Sequence, residues 1–216
     1  MKSFCIIGLG KFGQTLAVTL AQEGHQVMVI DTDSAKVTAL ADIVTNAVIG
    51  DPTNETVLRT AGVKDYDCSV VCFTQNINEN ILITIMLKEI GVRHVVSRAL
   101  NEGHKKVLTH IGADMIVFPE QDMAEKLAYM LAKDNVTDFI EFSGYEIVEM
   151  HIPNDWIGKN LIELDLRRRY RVNIIAVSEQ DGNNADVAPA PDRIFKKDER
   201  VTVIGSKKDV DKLLSE

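Results

Sequence analysis

With 216 residues, 45% of them hydrophobic and 26% charged, the chain is long enough for one large domain, or for one of ordinary size with a small companion. A net charge of −8, with Arg167-Arg168-Arg169 and Arg171 as the one dense basic cluster, argues against nucleic acid as a partner. No apolar run approaches the ~20 residues of a membrane span and the N-terminus does not read as a signal peptide, so the expectation is a soluble cytoplasmic protein whose membrane role, if any, runs through a partner.

Phe4-Cys5-Ile6-Ile7 reads as a first strand. Gly8-Leu9-Gly10-Lys11-Phe12-Gly13 follows with the spacing G-x-G-x-x-G, and Gln14 to Ala21 reads as a helix. In this context Gly8 permits a tight turn, Gly10 lets backbone approach a pyrophosphate, and Gly13 lets the helix pack on the strand. The helix N-terminus then offers free N–H groups to phosphate. The second strand, Gln26 to Ile30, ends at Asp31, near the acid expected ~20 residues into the fingerprint. A carboxylate there accepts hydrogen bonds from ribose hydroxyls and repels a 2′-phosphate, and Thr32-Asp33 supplies no arginine, so NADP is disfavoured. Asp33 reads equally as a ligand contact and as the cap of a helix starting at Ser34.

Further strands are expected over Ile43 to Ile49, Ser69 to Thr74, His94 to Ser97 and Met115 to Phe118. Helices lie between them, notably Asn78 to Ile90, stopped by Gly91, and Asn101 to Ile111, closed by Gly112. Six strands alternating with helices predict an α/β fold, a Rossmann-like doubly wound parallel sheet over residues 1–134. Ligands of such sheets sit at the carboxyl ends of the strands. Asp51-Pro52-Thr53 follows strand three, on the adenine side, with a helix cap by Thr53 or Asn54 as the alternative. Thr74 ends strand four. Arg98 ends strand five, to meet phosphate or to form a surface ion pair. Glu120 opens the next helix, Glu120 to Ala132, where the helix dipole favours an acid; the same place suits a carboxylate sharing a divalent cation with phosphates. Ala124, Leu127, Ala128 and Leu131 make an apolar stripe on that helix, to be buried on the sheet or in a dimer.

The alternation then stops, and a small α+β unit over residues 138–216 is expected, with the boundary near Asp134–Asp138. Two strands around Ser143-Gly144 form a hairpin, Ile162 to Tyr170 a helix, Val172 to Val177 a strand, Gln180 to Asp192 a loop, Val201 to Ile204 a strand and Lys207 to Leu214 a terminal helix. Cys5, Cys68 and Cys72 form no C-x-x-C pair and read as small buried hydrophobes. Neither G-x-S-x-G nor H-E-x-x-H occurs, and the five histidines are scattered. A binding protein is therefore favoured, with a small NAD-dependent oxidoreductase as the alternative.

These residues resemble the cytoplasmic regulatory subunits of Ktr and Trk potassium transporters, the RCK family. The matching pieces are Ile7-Gly8-Leu9-Gly10-Lys11-Phe12-Gly13, Asp31, Gly50-Asp51-Pro52-Thr53, Ser97-Arg98-Ala99, Pro119-Glu120 and Ile157-Gly158-Lys159-Asn160-Leu161. Lys11 stands where many members carry arginine, Pro52 where a small residue is usual, and Asp198-Glu199 where Gly-Asp is common. The resemblance implies no enzyme. It implies an N-terminal domain that binds ATP, ADP or NAD(H), a cation (Mg²⁺ or Ca²⁺) at Glu120, and dimers assembled into an octameric ring. That ring docks at the inner face of the cell membrane under a separate membrane-embedded potassium transporter subunit, with no nucleic acid involved. It further implies cyclic di-AMP binding at the dimer interface of the C-terminal unit, where Arg167 would hold the phosphate, Asn173 the base edge, and Ile162, Leu164 and Ile174 the adenine; the alternative is that the isoleucines are core, Arg167 is solvated and Asn173 caps a turn.

Overall fold

The computed structural model describes residues 1–73, 76–179 and 184–215. The chain divides into two compact units, Met1–Glu120 and Gln121–Glu216. The division falls a helix earlier than the linker-like segment at 134–138.

The first unit is a six-stranded parallel sheet of β1 (Ser3–Ile7), β2 (Gln26–Asp31), β3 (Asn46–Ile49), β4 (Cys68–Val71), β5 (Val95–Arg98) and β6 (Met115–Val117). Its order is β3-β2-β1-β4-β5-β6. The order reverses between β1 and β4, the switch point of a doubly wound sheet. The strands are apolar at successive residues because both faces are covered. Cys5, Ile7, Met28 and Ile30 pack with Leu58, Ile83 and Leu87 of α3 (Glu55–Thr60) and α4 (Ile77–Ile90). Ile6, Val27 and Val29 pack with Ala17 and Val37 of α1 (Lys11–Gln22) and α2 (Ser34–Leu40) on the other face. The last helix within the unit is α5 (Glu102–His110), capped by Asn101, which accepts from the His104 amide at 2.8 Å. β3 starts at Asn46 rather than Ile43, because the Ile43 and Val44 amides donate back to the Leu40 carbonyl and close α2. β4 ends at Val71; Thr74, assigned to its end from the sequence, lies outside the described residues.

Helix α6 (Pro119–Leu131) begins at the division. The second unit continues with an antiparallel sheet of order β10-β9-β11-β8-β7. Its strands are β7 (Val136–Phe142), β8 (Tyr145–His151), β9 (Asn173–Glu179), β10 (Asp186–Val187) and β11 (Glu199–Ser206). The hairpin turn places Ser143 at φ 49° and Gly144 at φ 82°, the paired left-handed residues of a two-residue turn. Residues 162–170 are not one helix: α7 (Leu161–Leu164) and α8 (Leu166–Tyr170) are broken at Asp165, φ 43°. Leu164 and Leu166 are both buried in the core, and two residues apart on a continuous helix they would point about 200° apart. The break turns both inward. β10 is a further departure, a short strand inside the expected loop, pairing Asp186 with Val177. The unit closes with α9 (Lys207–Leu214). Among the described residues no helix is long and apolar enough to cross a membrane.

Candidate functional site

Each glycine of the fingerprint meets a different physical demand. Gly8 has φ 96°, and a Cβ there would lie 2.8 Å from the Phe73 ring. A Cβ on Gly13 would lie 2.0 Å from the Gly8 carbonyl oxygen, so only glycine lets α1 pack this closely on the turn. Gly10 differs: it has ordinary backbone angles, φ −67° and ψ 178°, and a Cβ would meet open space. It stands at the N-cap of α1 with no side-chain cap, which leaves the helix's first amides facing the carboxyl edge of the sheet. Lys11 is exposed and Phe12 half-buried beside it.

Asp31 is buried, and both its oxygens are engaged. The Leu9 amide donates to Oδ2 at 2.5 Å and the Asp33 amide to Oδ1 at 2.8 Å. The acid thus pins the glycine turn to the end of β2, a role beyond the ribose contact read from spacing. Thr32 is exposed. Asp33 caps α2, accepting from the Ala35 and Lys36 amides and pairing with the Lys36 ammonium at 3.2 Å. The Lys36 side chain and its amide hold the Asp33 carboxyl below its ordinary range. Asp51 Oδ1 accepts from the Thr53 amide at 2.9 Å and its hydroxyl at 2.7 Å, a closed local turn over buried Pro52; Asn54, not Thr53, caps α3.

Arg98 is 9% exposed. Its guanidinium lies 5.3 Å from the centre of the Phe12 ring and pairs with Glu120. Its Nε is buried without a partner among the described residues, a donor a phosphate oxygen would satisfy. The structure thus joins the glycine loop to Asp31, and Phe12 to Arg98 and Glu120. Asp33 and Asp51 are closed on their own turns. Among the described residues no group of three or more His, Cys, Asp or Glu side chains is placed to hold a metal ion. Glu120 is half-exposed with one oxygen on Arg98, so a cation there would take most of its ligands from phosphate and water, the usual arrangement for Mg²⁺.

Sequence reasoning missed Asn80, Thr84 and Ser97, a buried polar cluster under the carboxyl ends of β4 and β5. The available signal was an Asn and a Thr four residues apart, sharing a helix face with apolar Ile83 and Leu87. All three cysteines are buried free thiols. Burial pushes the Cys68 thiol up to about 11 and that of Cys72 up to about 12.

The second unit holds a cavity of about 330 Å³ lined by Ile162, Arg167, Ile174 and Pro191. Arg167 Nε donates to Asn173 Oδ1. Leu164, expected to line the adenine slot, is instead 1% exposed in the core, turned inward by the break at Asp165. Asn160 and Glu163 fix the start of α7 through a capping box.

The family model described as the TrkA-N domain matches residues 4–119, and that of the TrkA-C domain residues 146–216. The chain is 40% identical over 210 residues to the Ktr system potassium uptake protein C of Bacillus subtilis strain 168, covering 97% of this chain and 94% of that protein. It is 35% identical over 216 residues to the Ktr system potassium uptake protein A of the same strain, covering 100% and 96%. Among solved structures, the GsuK channel bound to NAD is 24% identical with a TM-score of 0.56, over 100% of this chain and 38% of that one, a likeness of fold.

Proposed function

The chain belongs to the TrkA family of potassium uptake proteins, a TrkA-N domain followed by a TrkA-C domain, and from that premise we propose that it is the nucleotide-binding regulatory subunit that gates a membrane potassium transporter. It is a regulatory protein and not an enzyme. The observation that carries nucleotide binding is the open, uncapped N-terminus of α1 at Gly10, beside a glycine turn pinned by Asp31. ATP, ADP or NAD(H) places its phosphates there, with Lys11 and the buried Arg98 Nε as donors and Asp31 toward the ribose. Glu120 would be the carboxylate that holds Mg²⁺ or Ca²⁺, which would offset the phosphates' charge. Cyclic di-AMP occupies the cavity of the second unit, its phosphate on Arg167, its base edge on Asn173 and its adenine against Ile162 and Ile174.

The α6 stripe joins copies into dimers, and these form an octameric ring beneath the transporter's membrane-embedded subunit, on the cytoplasmic side. Ligand exchange in the ring opens or closes the pore.

Titration calorimetry with ATP, ADP and NADH tests the site. Gly10→Val fits the open backbone geometry yet fills the phosphate position, so it should fold and lose binding. Retained affinity refutes the site. Nucleotide-dependent potassium flux in vesicles holding the membrane subunit and this chain tests the gating role; flux indifferent to nucleotide refutes it.

A further inference from the structure

Asn80 is fully buried on α4, yet its amide is almost completely used. Nδ2 donates to the Phe73 carbonyl at 3.0 Å, just beyond β4, and to the Arg98 carbonyl at 3.3 Å, at the end of β5. Oδ1 accepts from the Ser97 hydroxyl at 2.8 Å. Ser97 Oγ lies 3.0 Å from Thr84 Oγ1, which is 2.8 Å from Asn80's own carbonyl. A primary amide brings two donors and an acceptor, and here all three functions are matched. The two carbonyls it holds belong to residues that flank the glycine loop. The Phe73 ring abuts Gly8, and the Arg98 guanidinium stands over Phe12.

We propose that Asn80 is a positioning residue for the nucleotide site: one amide fixes the ends of β4 and β5 and so sets Phe73 and Arg98 against the glycine loop. The proposal rests on the nucleotide-binding reading above. Its chemistry is specific, because an aspartate of the same shape offers no donor and turns acceptors toward two carbonyls. A role in packing alone ranks the variants the other way, with the truncated side chain worse than the isosteric one.

The test measures ATP affinity by calorimetry in wild type, Asn80→Asp, Asn80→Ala and Ser97→Ala, with amide hydrogen exchange over residues 68–73 and 95–100 in the ligand-free proteins. Asn80→Asp should weaken ATP by about tenfold or more, and at least as much as Asn80→Ala. Ser97→Ala, which only unfixes the amide, should weaken it less. Exchange in the two segments should rise in Asn80→Ala while β2 stays protected. Wild-type affinity in Asn80→Asp, or a larger loss in Asn80→Ala than in Asn80→Asp, overturns the proposal. If Asn80→Asp does not fold, unchanged affinity in Ser97→Ala overturns it. If wild type binds no nucleotide, the function proposed above fails, and the exchange measurement alone decides Asn80: unchanged protection overturns its positioning role.

Discussion

Asp31 illustrates how a residue found for one reason serves another. Spacing identifies it as a ribose ligand, but its two oxygens receive the Leu9 and Asp33 amides. In Asp31→Asn one acceptor becomes a donor facing an N–H. The loop should loosen, stability should fall by about 1–3 kcal/mol, and ATP, ADP and NADH should all bind more weakly. Chemical denaturation with parallel calorimetry checks this; a loss confined to affinity leaves Asp31 a ligand contact only. The glycine fingerprint was legible because its demands are local: a turn, a close approach, a helix start. Asn80 was not, because its partners lie at Phe73, Ser97 and Arg98, and only the folded sheet brings them together. The cysteines add a pH prediction. Their folded thiols are raised above the ordinary value of 9.0, so the unfolded chain loses protons first and stability falls as pH rises above about 9. Cys72→Ala should flatten that alkaline decline by one proton, about 1.4 kcal/mol per pH unit, in denaturation measured from pH 8 to 11. An identical slope contradicts the burial argument.

At the scale of elements, apolar periodicity located the helices, but it did not reveal where one must break. The spacing around Ile162 to Tyr170 passed as one helix; the need to bury both Leu164 and Leu166 divided it. The left-handed residue at the break is Asp165, at some cost to any residue with a Cβ. Asp165→Gly should raise the melting temperature, by a stability gain of up to about 1 kcal/mol. A lower melting temperature would mean that the Asp165 side chain, not its backbone, holds the break. The stripe on α6 shows the converse, a periodicity whose burial the sequence left open. Of Ala124, Leu127, Ala128 and Leu131 none is buried; Leu127 and Leu131 are 50% and 75% exposed, and Met123, absent from the stripe as read, adds a third exposed apolar residue at 63%, a strip that a second copy would cover. Leu127→Glu should convert dimers to monomers in light scattering, and an unchanged mass would exclude α6 from the contact.

At the scale of the molecule, the two units carry separate candidate sites, one at the carboxyl edge of the parallel sheet and one in the cavity beside α7 and α8. Their ligands should therefore separate by mutation. Arg167→Ala should abolish cyclic di-AMP binding and leave ATP affinity unchanged, and Gly10→Val should do the reverse, both read by calorimetry on the full chain. Loss of both ligands in either variant contradicts independent sites. The class of each unit was evident from the order of its elements. Their division was not, because polar residues at 134–138 imitate a linker while the side chains of α6 are committed elsewhere.

That commitment bears on inheritance. Lys126 pairs with Asp138, Tyr129 donates to Glu146 and stacks on Phe139, and Lys133 pairs with Asp211 at 2.9 Å. A genetic crossover at codons 134–138 would therefore separate Lys126, Tyr129 and Lys133 from the carboxylates they have matched. Chimaeras between homologues should tolerate a junction just after Glu120, which keeps the Arg98–Glu120 pair, far better than one at the apparent linker, and halves exchanged in evolution should carry the rest of this helix with the C-terminal sheet.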